Sequence, residues 1–400
     1  MTAHLTPHMN PFESYSLDIL DATLPSIHTL NDDGLDLILG YMDGYELLAV
    51  RFVCKRWFNA VVHSLATLDH HNMTSRKFRS TLSDFRLATL IGSSLKRLYV
   101  PVTLFAGSTF TAEEMLEKLP NLEILRIKNN DSRAKSFFDM SPSTQVLGLK
   151  CLQISNVIIK PLEDDVISNL IIKLPDLQKI EITNPSGNPL MSSGNLDGMF
   201  FSNHLKDHEM RSIILRNMVN LETDLPWFIF NQYYSTLECL SIRSVQCELD
   251  FFDVDGLQPM KRMKTFCITT SAREVDELLP LLSLMPNLET LELFLQHASA
   301  DQPSFVSILV EICPHITHLT LSCRNAKIPF SELESLKDLK FLKTLNLPKK
   351  NRLVFDMFEG VMEGLTTLET LSLQGCSGLK DEHVFIIITK MKSLRRLNIR

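Results

Sequence analysis

Residues 119–127 read Leu119-Pro-Asn-Leu122-Glu-Ile-Leu125-Arg-Ile127, and this stretch decides the fold. From Leu122 it follows the pattern apolar-x-x-apolar-x-apolar, which occurs twelve times in the chain at a steady spacing. The copies begin at Leu95, Leu122, Leu149, Leu177, Met210, Leu237, Met263, Leu288, Ile316, Leu342, Leu368 and Leu394. Ten of the eleven intervals are 25 to 28 residues long and one is 33, so the copies form a regular repeat rather than chance matches.

Each repeat is predicted to contain one strand and one helix. Four copies follow an apolar residue and a proline, as in Leu119-Pro-Asn-Leu122 and Met285-Pro-Asn-Leu288. Proline at that point ends the preceding helix and prepares the chain for the next strand. A repeat of this length and consensus is typical of leucine-rich repeats, whose parallel strands line the inside of a horseshoe. We therefore predict an α/β solenoid with about twelve strand units over residues 95–400.

Residues 25–66 show a different, helical pattern. Leu35, Ile38, Leu39 and Met42 fall on one face of a helix, and two further short apolar runs follow. The sequence therefore predicts a small three-helix unit before the repeats. A unit of this size cannot bury much of its own apolar surface, so we expect a partner or the following domain to cover it.

This helical stretch resembles an F-box. The resemblance rests on Ile38-Leu39-Gly-Tyr41-Met-Asp43, on Glu46-Leu47-Leu48 and on Val53-Cys54-Lys-Arg-Trp57, at the spacing of the family. It implies binding to the Skp-type adaptor of a cullin–RING (SCF) ubiquitin ligase. The adaptor contacts that it implies are Leu30, Ile38, Leu39, Leu47, Leu48, Val53, Cys54 and Trp57. For any single one of these leucines, an ordinary place in a helical core is the alternative.

Two positions depart from the family pattern. Asn31 stands where the family usually has proline, and Gly34 stands where a helix former is usual. Glycine inside a helix costs about 0.5–1 kcal/mol relative to alanine. We therefore expect the first helix to begin late.

The remaining boundaries follow from composition. Residues 1–24 are polar and are expected to form a flexible tail, and residues 67–94 are expected to form a helical connector. The 33-residue interval contains a glycine- and proline-rich insertion at 184–201, which indicates a surface loop. A tolerated insertion is the simpler interpretation, and a flap that contacts a bound protein is the alternative.

Alternation along each predicted strand sends every second side chain to the open face of the sheet, away from the core. The substrate-binding residues predicted there are Arg97, Tyr99, Arg126, Lys128, Lys179, Arg216, Arg243, Glu292, Phe294 and His318. In the first six strands this face carries six basic residues and one acidic residue, Glu181. The imbalance favours an acidic or phosphorylated segment of a target protein, because arginine pairs bidentately with carboxylate and phosphate. A solvated face with an accidental excess of positive charge is the alternative.

Composition excludes several classes of protein. The 400 residues carry a formal net charge of −7 and are 44% hydrophobic, so neither chain-wide nucleic-acid binding nor wholesale disorder is expected. No apolar run approaches the roughly 18 residues of a membrane span, and the first ten residues lack the features of a signal peptide. The eight cysteines lie far apart with no CxxC pair, which is typical of reduced thiols in the cytoplasm or nucleus.

Catalytic and metal-binding motifs are not found. His204 and His208 have i, i+4 spacing but no obvious third ligand, and Cys313, His315, His318 and Cys323 are not expected to converge. We therefore expect no cofactor, no metal and no catalytic residue. The sequence predicts a non-catalytic substrate receptor whose F-box binds the adaptor and whose repeats hold a protein target. A leucine-rich-repeat interaction scaffold that acts outside ubiquitin transfer is the alternative.

Overall fold

The chain forms two compact units, with the boundary between Leu65 and Ala66. The computed structural model describes residues 30–42, 44–67, 70–72, 95–101, 112–128, 146–155, 170–183, 204–218, 225–244, 256–270, 275–295, 305–323, 333–347, 355–375 and 379–399. The predicted tail at 1–24, residues 73–94 of the predicted connector and the insertion at 184–201 lie outside these ranges. The first unit is helical and the second is built on one parallel sheet, which confirms the predicted α/β solenoid.

The first unit contains the three predicted helices, α1 (Asp32–Gly40), α2 (Gly44–Val50) and α3 (Lys55–Thr67). Asn31 caps α1, because its Oδ1 accepts a hydrogen bond from the backbone N–H of Gly34 at 2.8 Å. This bond satisfies one of the free amides of the first turn. The expectation that the helix begins late is therefore wrong: the cap at Asn31 starts the helix two residues before Gly34.

The second unit is a parallel sheet whose thirteen strands pair in chain order within the described part of the chain. The strands are β1 (His70–Asn72), β2 (Arg97–Pro101), β3 (Ile124–Lys128), β4 (Cys151–Ser155), β5 (Lys179–Thr183), β6 (Ser212–Met218), β7 (Cys239–Ser244), β8 (Thr265–Thr270), β9 (Thr290–Leu295), β10 (His318–Cys323), β11 (Thr344–Asn346), β12 (Thr370–Ser372) and β13 (Arg396–Asn398). Each of the twelve predicted motifs starts two residues before one of the strands from β2 to β13.

Strand β1 was not predicted. It pairs in parallel with β2 through His70–Arg97, His71–Leu98 and Asn72–Tyr99, and it lies inside the segment 67–94 that was expected to be a helical connector. At these three positions the helical prediction is wrong. The sequence His70-His71-Asn72 contains no apolar residue, so pairing with β2 and not an apolar pattern of its own determines this strand.

Helices of the second unit lie between consecutive strands, as the repeat predicts. They are α4 (Ala112–Glu117), α5 (Leu225–Tyr233), α6 (Val275–Ser283), α7 (Phe305–Ile312), α8 (Phe355–Gly364) and α9 (Asp381–Lys390), with a 3₁₀ helix at Ser335–Asp338. The apolar-proline motif closes a turn before the next strand, since the N–H of Leu122 donates to the carbonyl of Leu119 at 3.1 Å. The same bond forms at the other three proline motifs, at 3.1–3.3 Å, with proline at a turn position that suits its fixed φ. None of the described helices is long and apolar enough to cross a membrane.

The core of the second unit is a column of aliphatic side chains from successive strands. Leu125, Leu152 and Ile180 are in register on β3, β4 and β5, and each is 0% exposed. Further along the sheet Phe266 takes the same position, with its ring 5.9 Å from that of Phe230 on α5. Each described strand thus covers its neighbour's apolar side chains. The opposite face carries polar and charged residues together with apolar ones such as Tyr99, Ile214 and Phe294.

Candidate functional site

The eight side chains assigned to adaptor binding differ in burial. Leu39, Leu47 and Trp57 are at most 6% exposed and form the core of the first unit. Leu30, Leu48 and Cys54 are half-buried, whereas Ile38 and Val53 are exposed. The burial of Leu39, Leu47 and Trp57 favours the alternative of an ordinary place in the helical core for these three. Their contact with the adaptor stays a prediction.

Among the described residues of the first unit, most of the exposed large apolar side chains had not been assigned to adaptor binding. Leu37, Tyr41 and Phe52 are 65%, 85% and 76% exposed, and Phe58 and Val62 are about half exposed. Tyr41, the C-cap of α1, follows Leu37 of that helix at i, i+4 spacing, and Phe58 and Val62 have the same spacing on α3, so the members of each pair lie on one side of their helix. Exposed apolar side chains in this number on so small a unit are typical of an interaction surface. The apolar surface, as used below, consists of Leu37, Ile38, Tyr41, Phe52, Val53, Phe58 and Val62.

Arg56 joins the two helices that carry these stripes. Its Nη2 lies 2.7 Å from Oδ1 of Asp32, and it also donates to the carbonyl of Leu30 at 2.5 Å. The ion pair and the hydrogen bond of Arg56 therefore hold the N-terminal ends of α1 and α3 together without the burial of apolar side chains. The arginine belongs to the segment Val53-Cys54-Lys-Arg-Trp57 on which the F-box resemblance rests.

The ten residues assigned to substrate binding all lie on strands, at the positions that alternate with the core. In β3 the burial alternates along the strand, so Arg126 is exposed between the buried Leu125 and Ile127. Strand register aligns Tyr99, Arg126 and Glu181 in one row that runs across the strands, together with Glu292 on β9. The structure therefore places the predicted residues on one face of one sheet. Whether they bind a target stays a prediction.

On β3, Arg126 and Lys128 add positive charge to this face. The guanidinium carbon of Arg126 lies 4.9 Å from the centroid of the Tyr99 ring, a cation–π contact. Within the described residues no carboxylate lies within 4 Å of Arg126 or Lys128. This end of the open face agrees with the predicted excess of basic residues.

Glu181 neutralises much of the charge on the next strands. Its carboxylate is 18% exposed and lies 4.0 Å from Nζ of Lys179 and 3.4 Å from Nη1 of Arg216. Gln153 donates to its second oxygen from Nε2 at 3.2 Å. Directly after Arg216 the register of β6 shifts, and Asn217 adopts a φ of 55°, in the left-handed region. Glu181, the one acidic residue predicted on this face of the first six predicted strands, thus has three polar partners.

Arg243 is held by three different groups. Its Nη2 pairs with Glu292, its Nε lies 3.0 Å from Sγ of Cys267, and its guanidinium carbon lies 4.8 Å from the ring of Phe294. Burial raises the pKa of the Cys267 thiol to about 11, although the arginine opposes that shift. Arg243, Glu292 and Phe294, which were predicted separately, therefore form one cluster. Sequence reasoning missed Cys267, because the contact depends on pairing between strands.

The histidine positions show no metal geometry. His318 lies at the start of β10 on the open face, where its Nδ1 is 2.8 Å from Oγ1 of Thr317, and Nε2 of His208 is 3.0 Å from the carbonyl of Leu174. Cys313 is buried, and burial raises its pKa to about 11. Across the described ranges, no three His, Cys, Asp or Glu side chains are grouped so that they could hold a metal ion.

Comparison with known proteins gives one specific match. The sequence model of the F-box domain matches residues 27–65, which identifies the first unit as an F-box domain. No curated protein sequence matches the chain. F-box and leucine-rich-repeat proteins are generally non-catalytic adaptors or receptors.

Two solved structures are similar to most of the chain at low identity. An internalin from Listeria monocytogenes is 15% identical, covers 92% of this chain and 94% of its own, and has a TM-score of 0.39. A chain from the yeast Rad7 and Elc1 complex is 12% identical, covers 92% of this chain and 88% of its own, and has a TM-score of 0.47. At these values neither similarity identifies a function or a partner.

Proposed function

We propose that the chain is the substrate receptor of an SCF-type ubiquitin ligase. The F-box would bind a Skp-type adaptor, and the open face of the sheet would bind the protein to be ubiquitinated. The observation that carries this proposal is the F-box match at residues 27–65, on a unit that exposes seven large apolar side chains. F-box domains generally bind Skp-type adaptors, and exposed apolar side chains of this kind stabilise a protein interface when a partner covers them.

The proposed mechanism is positioning rather than chemistry. A receptor that holds a target on its repeats while its F-box is bound to the ligase raises the effective concentration of the target's lysines near the conjugating enzyme. The receptor itself needs no nucleophile, metal or cofactor for this role.

The same proposal places the chain in the cytoplasm or nucleus. Cys54, Cys151, Cys239, Cys267 and Cys313 are free thiols. Reduced thiols support a reducing compartment. Fractionation of cells that express the full chain would test this placement.

Coelution tests the adaptor part of the proposal. The full chain is mixed with recombinant Skp-type adaptor and separated by size-exclusion chromatography, next to a Leu47→Ala variant that loses core packing. The proposal predicts one complex with the wild-type chain. A folded wild-type chain that elutes apart from the adaptor would contradict the ligase role and leave an interaction scaffold outside ubiquitin transfer.

A further inference from the structure

Two arginines stand side by side on the open face. Arg216 on β6 and Arg243 on β7 are direct register partners, and neighbouring strands lie about 4.8 Å apart. Like charges at directly paired positions are unfavourable unless something offsets them. Two carboxylates, Glu181 and Glu292, offset part of this repulsion.

Each arginine is anchored on its outer side. Glu181, the partner of Arg216, is on β5, whereas Glu292, the partner of Arg243, is on β9. The two acids thus flank the pair from opposite directions along the sheet. Among the described residues, no carboxylate contacts both arginines.

Both guanidinium groups keep unused donors. The Arg216 and Arg243 side chains are 43% and 38% exposed, so part of each guanidinium can be reached from solvent, although Nε of Arg216 is itself buried. Arg243 donates from Nε and Nη2, and the described residues offer no acceptor to its Nη1. A guanidinium has five N–H groups, so each arginine has donors left for a further acceptor.

We propose that Arg216 and Arg243 together bind one carboxylate side chain, an aspartate or glutamate, of the target protein. This inference rests on the proposed function, in which the open face holds a target. Lys179, Arg216 and Arg243 carry three positive charges and the two acids carry two negative charges, so the cluster has a net charge of +1. One carboxylate neutralises it, whereas a phosphate dianion would leave an excess of negative charge. The ion pairs and the Phe294 contact hold the guanidinium groups in place before binding, which limits the entropy lost on binding.

Anisotropy of a labelled peptide tests the site. A fluorescein-labelled hexaglutamate peptide is titrated with the full chain at low ionic strength, and hexaglutamine and a phosphoserine-containing peptide serve as comparisons. We expect hexaglutamate to bind, and Arg216→Gln or Arg243→Gln to weaken it by about tenfold, as for loss of a charge-assisted hydrogen-bonded pair. Arg262→Gln removes the same charge from an exposed turn position just before β8, outside the predicted substrate-binding residues, and should weaken binding by no more than about twofold.

Several results would overturn the inference. These are no binding of hexaglutamate, an equal loss in all three variants, and preferential binding of the phosphoserine peptide through the same arginines. Since Arg216 and Arg243 also hold neighbouring acids, thermal unfolding of each variant is recorded. Arg216→Lys supplies a second variant that keeps the charge but not the fork of donors, and it should also lose most of the binding.

Coelution with the adaptor, measured on the same preparations, separates this inference from the proposed function. Arg216→Gln should leave adaptor binding unchanged. Adaptor binding without peptide binding would overturn the carboxylate site alone. Peptide binding without adaptor binding would overturn the ligase role and leave the site in place.

Discussion

Large apolar side chains are exposed more densely in the F-box unit than in the repeat unit: among the described residues seven are exposed in the first unit and eight in the much longer second unit. In the repeats, aliphatic residues such as Leu125 and Leu152 are fully buried, because each strand lies against the next. In the F-box unit, Tyr41 and Phe52 are more than three-quarters exposed, although both are large. Stacking supplies the repeats with a partner inside the chain, whereas three short helices bury only part of their apolar area. On this basis we propose that the first unit recognises its partner by apolar contact and the second by charge.

The largest expected difference is in the free energy of unfolding, when one phenylalanine of each unit is replaced by alanine. Phe266→Ala removes a fully buried ring that packs on Phe230, and it should lower the free energy of unfolding by about 3–5 kcal/mol. Phe52→Ala removes an exposed ring and should change it by no more than about 0.5 kcal/mol. Urea unfolding followed by circular dichroism measures both. Equal losses would mean that the two units do not differ in the way described.

Sequence periodicity predicted the repeat unit well, for a physical reason. A parallel strand buried against its neighbours needs apolar residues at fixed positions, so each motif begins two residues before its strand. It failed at β1, where His70-His71-Asn72 has no apolar residue and the neighbouring strand determines the pairing. Periodicity also could not predict the contact between Arg243 and Cys267, because the two residues are 24 positions apart and their contact depends on strand register.

Prediction of the F-box site was weaker because the apolar pattern is ambiguous there. The unit has more apolar residues than its core can hold, and the pattern does not tell which are buried. Leu39, Leu47 and Trp57 match the family motif and are core, whereas Tyr41 and Phe52 are exposed. The sequence did contain one signal of exposure: Leu37 with Tyr41, and Phe58 with Val62, are apolar pairs at i, i+4 spacing that do not share the helix face of the buried residues.

The cap of α1 gives an intermediate effect that is specific to the first unit. Asn31→Ala should destabilise α1 by about 1 kcal/mol. Gly34→Ala alone should not give the usual helix gain, because its Cβ would lie 2.9 Å from Oδ1 of Asn31 and displace the cap. In the Asn31→Ala background the same change should stabilise by about 0.5–1 kcal/mol. Hydrogen exchange of the α1 amides measures this cycle, and additive effects would contradict the proposed coupling.

The smallest effect concerns the thiols of the two units. With a pKa of about 11, only about one in a thousand Cys267 or Cys313 side chains is a thiolate at pH 8. Both should resist iodoacetamide at that pH, whereas the half-buried Cys54 of the F-box unit should react faster. Mass spectrometry of the alkylated chain measures the rates, and rapid labelling of Cys267 would contradict its burial.

The raised pKa of the Cys267 and Cys313 thiols also makes the free energy of unfolding depend on pH. Their pKa is raised from 9.0 in the folded chain, so the unfolded chain loses these protons first as the pH rises. Their contribution to the free energy of unfolding is complete below pH 9 and declines between pH 9 and 11. Thermal unfolding of Cys267→Ser across this range should show a smaller decline than the wild type.

Adaptor affinity tests the central claim most directly. A Tyr41→Ala, Phe52→Ala, Val53→Ala variant removes part of the apolar surface without touching the core of the first unit. The matched control replaces the exposed residues Leu147, Ile172 and Phe341 of the repeat unit by alanine. Dissociation constants for the Skp-type adaptor are measured by calorimetry, together with the unfolding temperature of each variant. We expect the adaptor affinity of the first variant to fall by at least about 100-fold, as for interface anchors, with an unchanged unfolding temperature and unchanged affinity in the control. Wild-type affinity in the first variant would contradict this expectation.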